Sequence, residues 1–329
     1  MDELHETAKK LFTPYKGILA NDASLPSLQK RLKKYGFTSD VETRRIFRNI
    51  FYTAPNLEQY ISGVILFEEA LNQRTTDGVM FPDVLLSKGI LPGIKVDQGL
   101  SDLTGFENEF TSRGIETLAL RLREYKKSKL FFTKWRAAFT VGKDKPSLNA
   151  IEENVRLLVD FARKSHEASL LPIVEAEVLM EGNHSLKDCQ LATERVLASL
   201  FTTIKSQNLP LEQIILKTNM IVAGKENKTA ISTDVAIITT MVLRKLVPQN
   251  IGGVVFLSGG QKSDEAIDNL GAIMRLGPFP WPLTFSFERV FEEPVLESWS
   301  RTRSITESQQ ILIETAKKAR RVIGYDKRV

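Results

Sequence analysis

The 329-residue chain carries 45 Lys and Arg against 40 Asp and Glu, a formal net charge of +5, with 42% hydrophobic and 26% charged residues. Those values exclude wholesale disorder, and the length permits one large α/β barrel or two smaller domains. One cysteine, Cys189, and three histidines, His5, His166 and His184, exclude an intramolecular disulfide framework and a Cys-rich zinc module, and leave little for histidine-based chemistry.

In chain order, the start MDELHETAKKLF is acidic and then amphipathic, without an apolar signal core, and reads as a leading helix through Leu11 and Phe12. An apolar run Gly17–Ala20 follows, then a helix over Leu25–Tyr35, and apolar runs Ile61–Phe67 and Leu91–Val96. Next come a helix over Ile115–Tyr125, a run Leu130–Ala138, a helix over Leu148–Lys164 and a run Leu170–Val178. A helix over Leu186–Ser206 precedes the run Ile214–Met220, and a helix over Asp234–Leu246 precedes the run Gly252–Leu257. A helix from Ser263, the run Leu283–Phe287 and a closing helix Thr306–Val322 with a short basic tail complete the chain. The runs start 30 to 44 residues apart and are apolar at successive positions, which suits strands covered on both faces. A βα unit takes about 30 residues or more, and eight units over Gly17–Arg289 match a (β/α)8 TIM barrel, about 250 residues. An open doubly wound sheet is the alternative that the pattern alone leaves open. With no low-complexity linker and no break in composition, residues 1–329 read as a single domain.

Charges interrupt these runs where apolar residues are expected. Asp22 closes the first, and Lys95 and Asp97, Lys134 and Arg136, Glu175 and Glu177, and Lys217 and Asn219 stand two apart in four others. A spacing of two puts both side chains on one face of a strand. A lone buried charge costs several kcal/mol, so such groups are paired, wet or used. In a barrel, the C-terminal strand ends supply the catalytic residues. A lysine beside another cation and an apolar wall is a nucleophile towards carbonyls. Lys217 is the candidate nucleophile, Lys134 the neighbouring cation and Glu175 the proton shuttle. From the residues alone, the constellation reads as carbonyl chemistry through a Schiff base.

Two features are candidate phosphate handles. Leu257-Ser258-Gly259-Gly260-Gln261 follows the seventh run and opens a helix, and the eighth run ends Ser286-Phe287-Glu288-Arg289. Loops after strands seven and eight form the commonest phosphate site of these barrels; a plain tight turn is the bland reading of the glycines. Ser24, Ser27, Lys30 and Arg31 make a second group, whose bland reading is the solvated start of a helix. The small charge excess, with no long Lys/Arg block, points away from nucleic acid. No run reaches the roughly 18 apolar residues of a spanning helix, so no membrane role is expected.

The segments Gly17–Ser24, Gly93–Asp97, Lys134–Arg136, Pro172–Glu177, Leu216–Met220, Leu257–Gln261 and Trp281–Ser286 resemble class I fructose-bisphosphate aldolase, collinearly over about Leu11–Trp299. The resemblance implies a single barrel that reversibly cleaves fructose 1,6-bisphosphate into dihydroxyacetone phosphate and glyceraldehyde 3-phosphate, in glycolysis and gluconeogenesis. It implies that Lys217 forms the imine, that Glu175 moves protons with support from Glu177, and that Asp22 assists where the bond breaks. Lys134 would contact substrate and tune Lys217. Ser258, Gly259 and Arg289 would hold one phosphate, and Ser24, Ser27, Lys95 and Arg31 the other. Arg136, Gly260 and Ser286 join the expected substrate-binding set. No metal and no cofactor is expected; the partners are small phosphorylated sugars, the location is cytoplasmic, and a homo-oligomer, the family's tetramer, is implied.

Departures from the family pattern are Ala23 for an acidic residue, Pro26 for a glycine, and Glu288 for a glycine beside Arg289. The long C-terminal extension ending in tyrosine is missing, with Tyr325 a weak substitute. Competing readings are a Schiff-base lyase for a different phosphorylated sugar, and a catalytically silent barrel kept for binding. A metal-dependent aldolase is disfavoured, because none of the three histidines lies on a strand end.

Overall fold

The computed structural model describes residues 3–324. The elements run α1 (Glu3–Leu11), β1 (Gly17–Asn21), α2 (Leu25–Lys34), α3 (Val41–Tyr52), β2 (Ile61–Leu66), α4 (Phe81–Ser87) and β3 (Leu91–Lys95). Then come β4 (Leu100–Asp102), β5 (Phe110–Ser112), α5 (Leu118–Lys127), β6 (Phe132–Phe139), α6 (Leu148–Glu167), β7 (Leu171–Val178) and α7 (Leu186–Ser206). The last are β8 (Ile215–Thr218), α8 (Ser232–Leu246), β9 (Gly253–Phe256), α9 (Ser263–Met274), β10 (Leu283–Phe287), α10 (Arg289–Thr302) and α11 (Ile305–Ile323). All eight apolar runs are strands of one closed parallel barrel in the order β1-β2-β3-β6-β7-β8-β9-β10, so the open-sheet alternative falls.

Side-chain alternation divides each strand between two cores. Outward residues such as Leu19, Val64, Trp135, Val174 and Leu216 join the large cluster under the helices. Inward residues Ile18, Ala20, Ile65, Leu91, Phe132, Leu171, Ile173, Ile215 and Val255 form a second cluster, with Leu4, Ala8 and Leu11 of α1. The leading helix is therefore a plug in the N-terminal mouth. Ser62 Oγ donates to the Leu11 carbonyl at 2.6 Å and fixes its end. Along the strands the inward series turns from apolar to charged: Phe132 is followed by Lys134, Ile173 by Glu175 and Ile215 by Lys217. The charged positions are thus the upper layer of one continuous interior.

Three helices and a hairpin go beyond the sequence expectation. In α3 the side chain of Asp40 accepts from Thr43 N at 2.8 Å, a capped start. The hairpin of β4 and β5 is antiparallel and lies outside the barrel. The helix α10 begins at Arg289 and so removes that residue from the eighth strand, which ends at Phe287. It runs through Pro294, which cannot donate to the Val290 carbonyl; Ser263 Oγ donates there instead, at 3.0 Å. Pro26 lies in the first turn of α2, where a missing N–H leaves no intrahelical bond unmade. Among the described residues no helix is long and apolar enough to cross a membrane. Tyr325 lies outside the described residues.

Candidate active site

A cavity of about 380 Å³ opens at the C-terminal mouth of the barrel. Its wall includes Asp22, Ser24, Ser27, Arg31, Lys95, Lys134, Arg136, Glu175, Glu177, Lys217, Ser258, Gly259, Ser286 and Arg289. Of the expected site residues, all but Gly260 are therefore on one surface, while Lys30 of the Ser24–Arg31 group is exposed and off it. The strand register explains the convergence: Glu175 pairs with Arg136 on one side and Lys217 on the other, and Lys134 with Lys95.

The four central groups are almost fully buried, at 3–5% exposure, so none is left to solvent to stabilise. Lys134 Nζ lies 2.6 Å from Asp22 Oδ2 and 3.0 Å from Glu175 Oε2, and Lys217 Nζ lies 3.3 Å from Glu175 Oε1. For Glu175, Asp22 and Lys134, the balance between burial and partners sets the direction in which each moves. Burial by itself would lift Glu175, but Lys134, Lys217 and Arg136 bring it down to about 2, so it is a carboxylate. Asp22 goes the other way: burial, helped by Glu288 and Glu175, outweighs Lys134 and Lys217 and raises it. Lys134 is raised, its burial overcome by Asp22, Glu175 and Asp97. The site thus holds one firmly ionised carboxylate and one drawn towards its neutral form, joined by a lysine that stays charged.

Around this centre most cations are already partnered. Arg136 Nε donates to Glu177 Oε2 at 2.5 Å, and Lys95 Nζ donates to Asp97 Oδ1 at 2.5 Å and to its carbonyl at 2.6 Å. Arg31 Nη1 donates to Glu288 Oε1 at 2.8 Å and also to Glu292 Oε2. Among the described residues no carboxylate is within ion-pair distance of Arg289. The Ser258–Gln261 turn needs Gly259 at φ +58° and Gly260 at φ +94°, left-handed values that glycine adopts without strain. Gln261 N and Nε2 both donate to Ser258 O, at 3.0 and 2.8 Å, and Asn269 Nδ2 anchors Gln261 Oε1 at 2.6 Å. Gly260 lines a neighbouring cavity with Lys225 and Lys262 instead of the central one. A Cβ there would lie 2.7 Å from Lys225 Cε and 3.6 Å from Arg289 Nη2, so this glycine leaves room for two cations.

Not every member of these polar pairs turns inward. The strand β8 stops at Thr218, and Asn219 caps the neighbouring strand, accepting from Val178 N at 2.9 Å. The carboxylates Asp97 and Glu292 are the groups that sequence reasoning passed over as site residues. Asp97 carries a signal, being two residues after Lys95. Glu292 carries only its place four residues after Glu288, one helical turn on. It is buried beneath Arg31, with Asn21 Nδ2 donating to Oε1 at 2.8 Å and Tyr52 OH donating to Asn21 Oδ1 at 2.7 Å. His5, His166 and His184 are all absent from the cavity wall. Among the described residues no group of three or more His, Cys, Asp and Glu side chains is placed to hold a metal ion.

A family model for class I fructose-bisphosphate aldolase, described as glycolytic, matches residues 3–324. A protein named probable fructose-bisphosphate aldolase class 1, from Xanthomonas campestris, is 41% identical over 320 residues, covering 96% of each chain. The fructose-bisphosphate aldolase of Drosophila melanogaster is 42% identical over 319 residues, 96% of this chain and 88% of that one. Among solved structures, the fructose-bisphosphate aldolase of Plasmodium falciparum, crystallised with TRAP and a small-molecule inhibitor, superposes with a TM-score of 0.95. It is 36% identical, and the match covers 98% of this chain and 94% of that one.

Proposed function

The chain belongs to the class I fructose-bisphosphate aldolase family, and on that footing we propose how its cavity does the family's work. The protein is a lyase that reversibly cleaves fructose 1,6-bisphosphate into dihydroxyacetone phosphate and glyceraldehyde 3-phosphate through a lysine imine. The observation that carries the assignment is the Asp22–Lys134–Glu175–Lys217 chain, with Lys217 Nζ 3.3 Å from Glu175 Oε1.

In this reading, Glu175 takes a proton from the Lys217 ammonium, and the amine adds to the C2 carbonyl of the ketose. Glu175 then returns the proton to the carbinolamine hydroxyl, which leaves as water, and the iminium remains. Asp22 removes the proton of the C4 hydroxyl. The C3–C4 bonding pair flows into the iminium and gives an enamine, while C4 becomes the aldehyde carbon of glyceraldehyde 3-phosphate. Protonation at C3 and hydrolysis of the imine release dihydroxyacetone phosphate. An aspartate drawn towards its neutral form suits proton capture, and a charged Lys134 between the two carboxylates keeps their roles apart.

The phosphate on C1 is bonded next to the imine carbon, so it falls to the loops on the β9 side of β8, away from Glu175 and Glu177 of β7. Those are Ser258 and Gly259 after β9, with Ser286 at the end of β10 and Arg289 just beyond. The phosphate on C6 lies four carbons from C2 and reaches across the mouth to Ser24, Ser27, Arg31 and Lys95. Glu177 positions Arg136 at 2.5 Å. The family membership also supports residues 1–329 acting as one domain in a homotetramer. Relatives named cytosolic or cytoplasmic, from Arabidopsis thaliana and Cicer arietinum, support a cytoplasmic location.

Borohydride reduction in the presence of dihydroxyacetone phosphate tests the chemistry. The expected product is a covalent adduct that peptide mapping places on Lys217. Lys217→Met is expected to fold and to lose both adduct and turnover. An adduct elsewhere, or full activity in the variant, refutes the assignment.

A further inference from the structure

The cavity is asymmetric in what it offers an anion. Its wall holds six cations, Arg31, Lys95, Lys134, Arg136, Lys217 and Arg289, and five carboxylates, Asp22, Asp97, Glu175, Glu177 and Glu288. At the near end Arg289 has no carboxylate partner among the described residues. At the far end Lys95 is tied to Asp97, and Arg31 is shared between Glu288 and Glu292. Glu288 Oε1 sits 2.8 Å from Arg31 Nη1, one of the donors that a phosphate oxygen would take. It does so from inside the cavity wall, at 28% side-chain exposure, so that an arriving phosphate meets it directly.

Resting on the proposed function above, we propose that Glu288 is a specificity-determining residue. It occupies Arg31 and so lowers the weight of the C6 phosphate relative to the C1 phosphate, giving a lyase that discriminates weakly between bisphosphate and 1-phosphate ketoses. A second anion brought up to Glu288 must displace it from Arg31 or lie beside it, and either costs binding energy. The C1 phosphate meets a weaker competitor, because Glu288 and Glu181 act on Arg289 only from beyond ion-pair distance and the Ser258–Gly259 turn adds backbone N–H groups. The arginine held by two carboxylates remains charged, being raised against burial by Glu288 and Glu292, and Glu288 is held ionised by Arg31 in return. Glu288 is therefore a standing competitor at neutral pH.

The experiment compares kcat/KM for fructose 1,6-bisphosphate and fructose 1-phosphate. Glu288→Gln is expected to raise the bisphosphate preference about tenfold, or about 1.4 kcal/mol, through a lower KM for the bisphosphate. The value for the 1-phosphate should stay within about twofold. Glu288→Gly gives the same readout should the amide repair the contact to Arg31. Arg31→Met should erase the gain in the Glu288→Gln background. An unchanged or reduced bisphosphate preference in both Glu288 variants overturns the proposal, since Glu288 would then be indifferent or a prop for Arg31. Cleavage and the borohydride adduct in the unsubstituted chain test the underlying reading separately. A chain that lacks both fails that reading, and one that has both but keeps its preference fails only this inference.

Discussion

Glu292 is fully buried, and its surroundings set it apart from the other carboxylates of the site. Burial and the neighbouring Glu288 outweigh Arg31 and the Asn21 amide and lift it to about 7, from an ordinary value of 4.5. A carboxyl raised on folding stabilises the native state when protonated. That contribution is complete below about pH 4.5 and is lost as pH rises through 7. Glu292→Gln, which keeps an acceptor for Asn21 and removes the titration, should therefore gain stability relative to the parent between pH 5.5 and pH 8. The expected gain is on the order of 1–3 kcal/mol, read from urea unfolding at each pH. A parent-to-variant difference that does not change with pH contradicts it. Glu292 also marks what the sequence conceals. Asp22, Lys134, Glu175 and Lys217 are legible because a charge inside an apolar strand has few ordinary explanations. A glutamate in the first turn of a helix has a good one, the helix dipole. Only the approach of α10 to α2 shows that Glu292 meets Arg31.

At the scale of elements, the strands were legible and several helices were not. A strand covered on both faces is apolar at successive positions, and β2, with every residue buried, is such a run. The helix α3 reads VETRRIFRNIFY, in which Arg48 and Asn49 are themselves buried, so its polar residues obscure the apolar period. Arg48 is held by Glu69 at 2.5 Å and Gln73 at 2.7 Å, partners that the sequence leaves 20 or more residues away. In α10 an interior proline argues against a helix, and the hydroxyl of Ser263 that compensates for it comes from a different unit. The converse signal is a glycine inside a strand. Gly93 of β3 lies against the Phe132 ring, and a Cβ added there would stand 2.3 Å from Phe132 Cε2. Phe132 is fully buried and has no room to retreat. Gly93→Ala is expected to cost about 1–3 kcal/mol as an overpacked core, measured by the denaturation midpoint. Gly142→Ala, whose nearest neighbour is Lys145 Cδ at 3.8 Å, is the control that should leave it nearly unchanged. Equal midpoints for the two would mean that β3 yields to the added methyl.

For the molecule as a whole, the vertical order inside the barrel separates what holds the fold from the layer proposed to perform the reaction. The lower interior is apolar and closed by α1, while the upper interior carries Lys134, Glu175 and Lys217. The two layers share strands, so burying the charged layer depends on a rigid floor beneath it. Leu11 is the test of that arrangement. It is fully buried, and its Cδ2 lies 2.4 Å from where a Cβ on Gly63 would stand, so that β2 has a glycine where the plug enters. Leu11→Ala leaves a cavity at the floor and is expected to cost about 2–5 kcal/mol of stability. The charged layer draws its geometry from strand register and from the ion pairs within it, and none of its members touches α1 among the described ion pairs. The variant's kcat/KM at a temperature well below its own unfolding should therefore stay within about twofold of the parent. A loss of turnover as steep as the loss of stability would mean that the plug sets the position of Lys217 and Glu175. A barrel whose N-terminal face governs stability and whose C-terminal face governs chemistry instead separates the two effects.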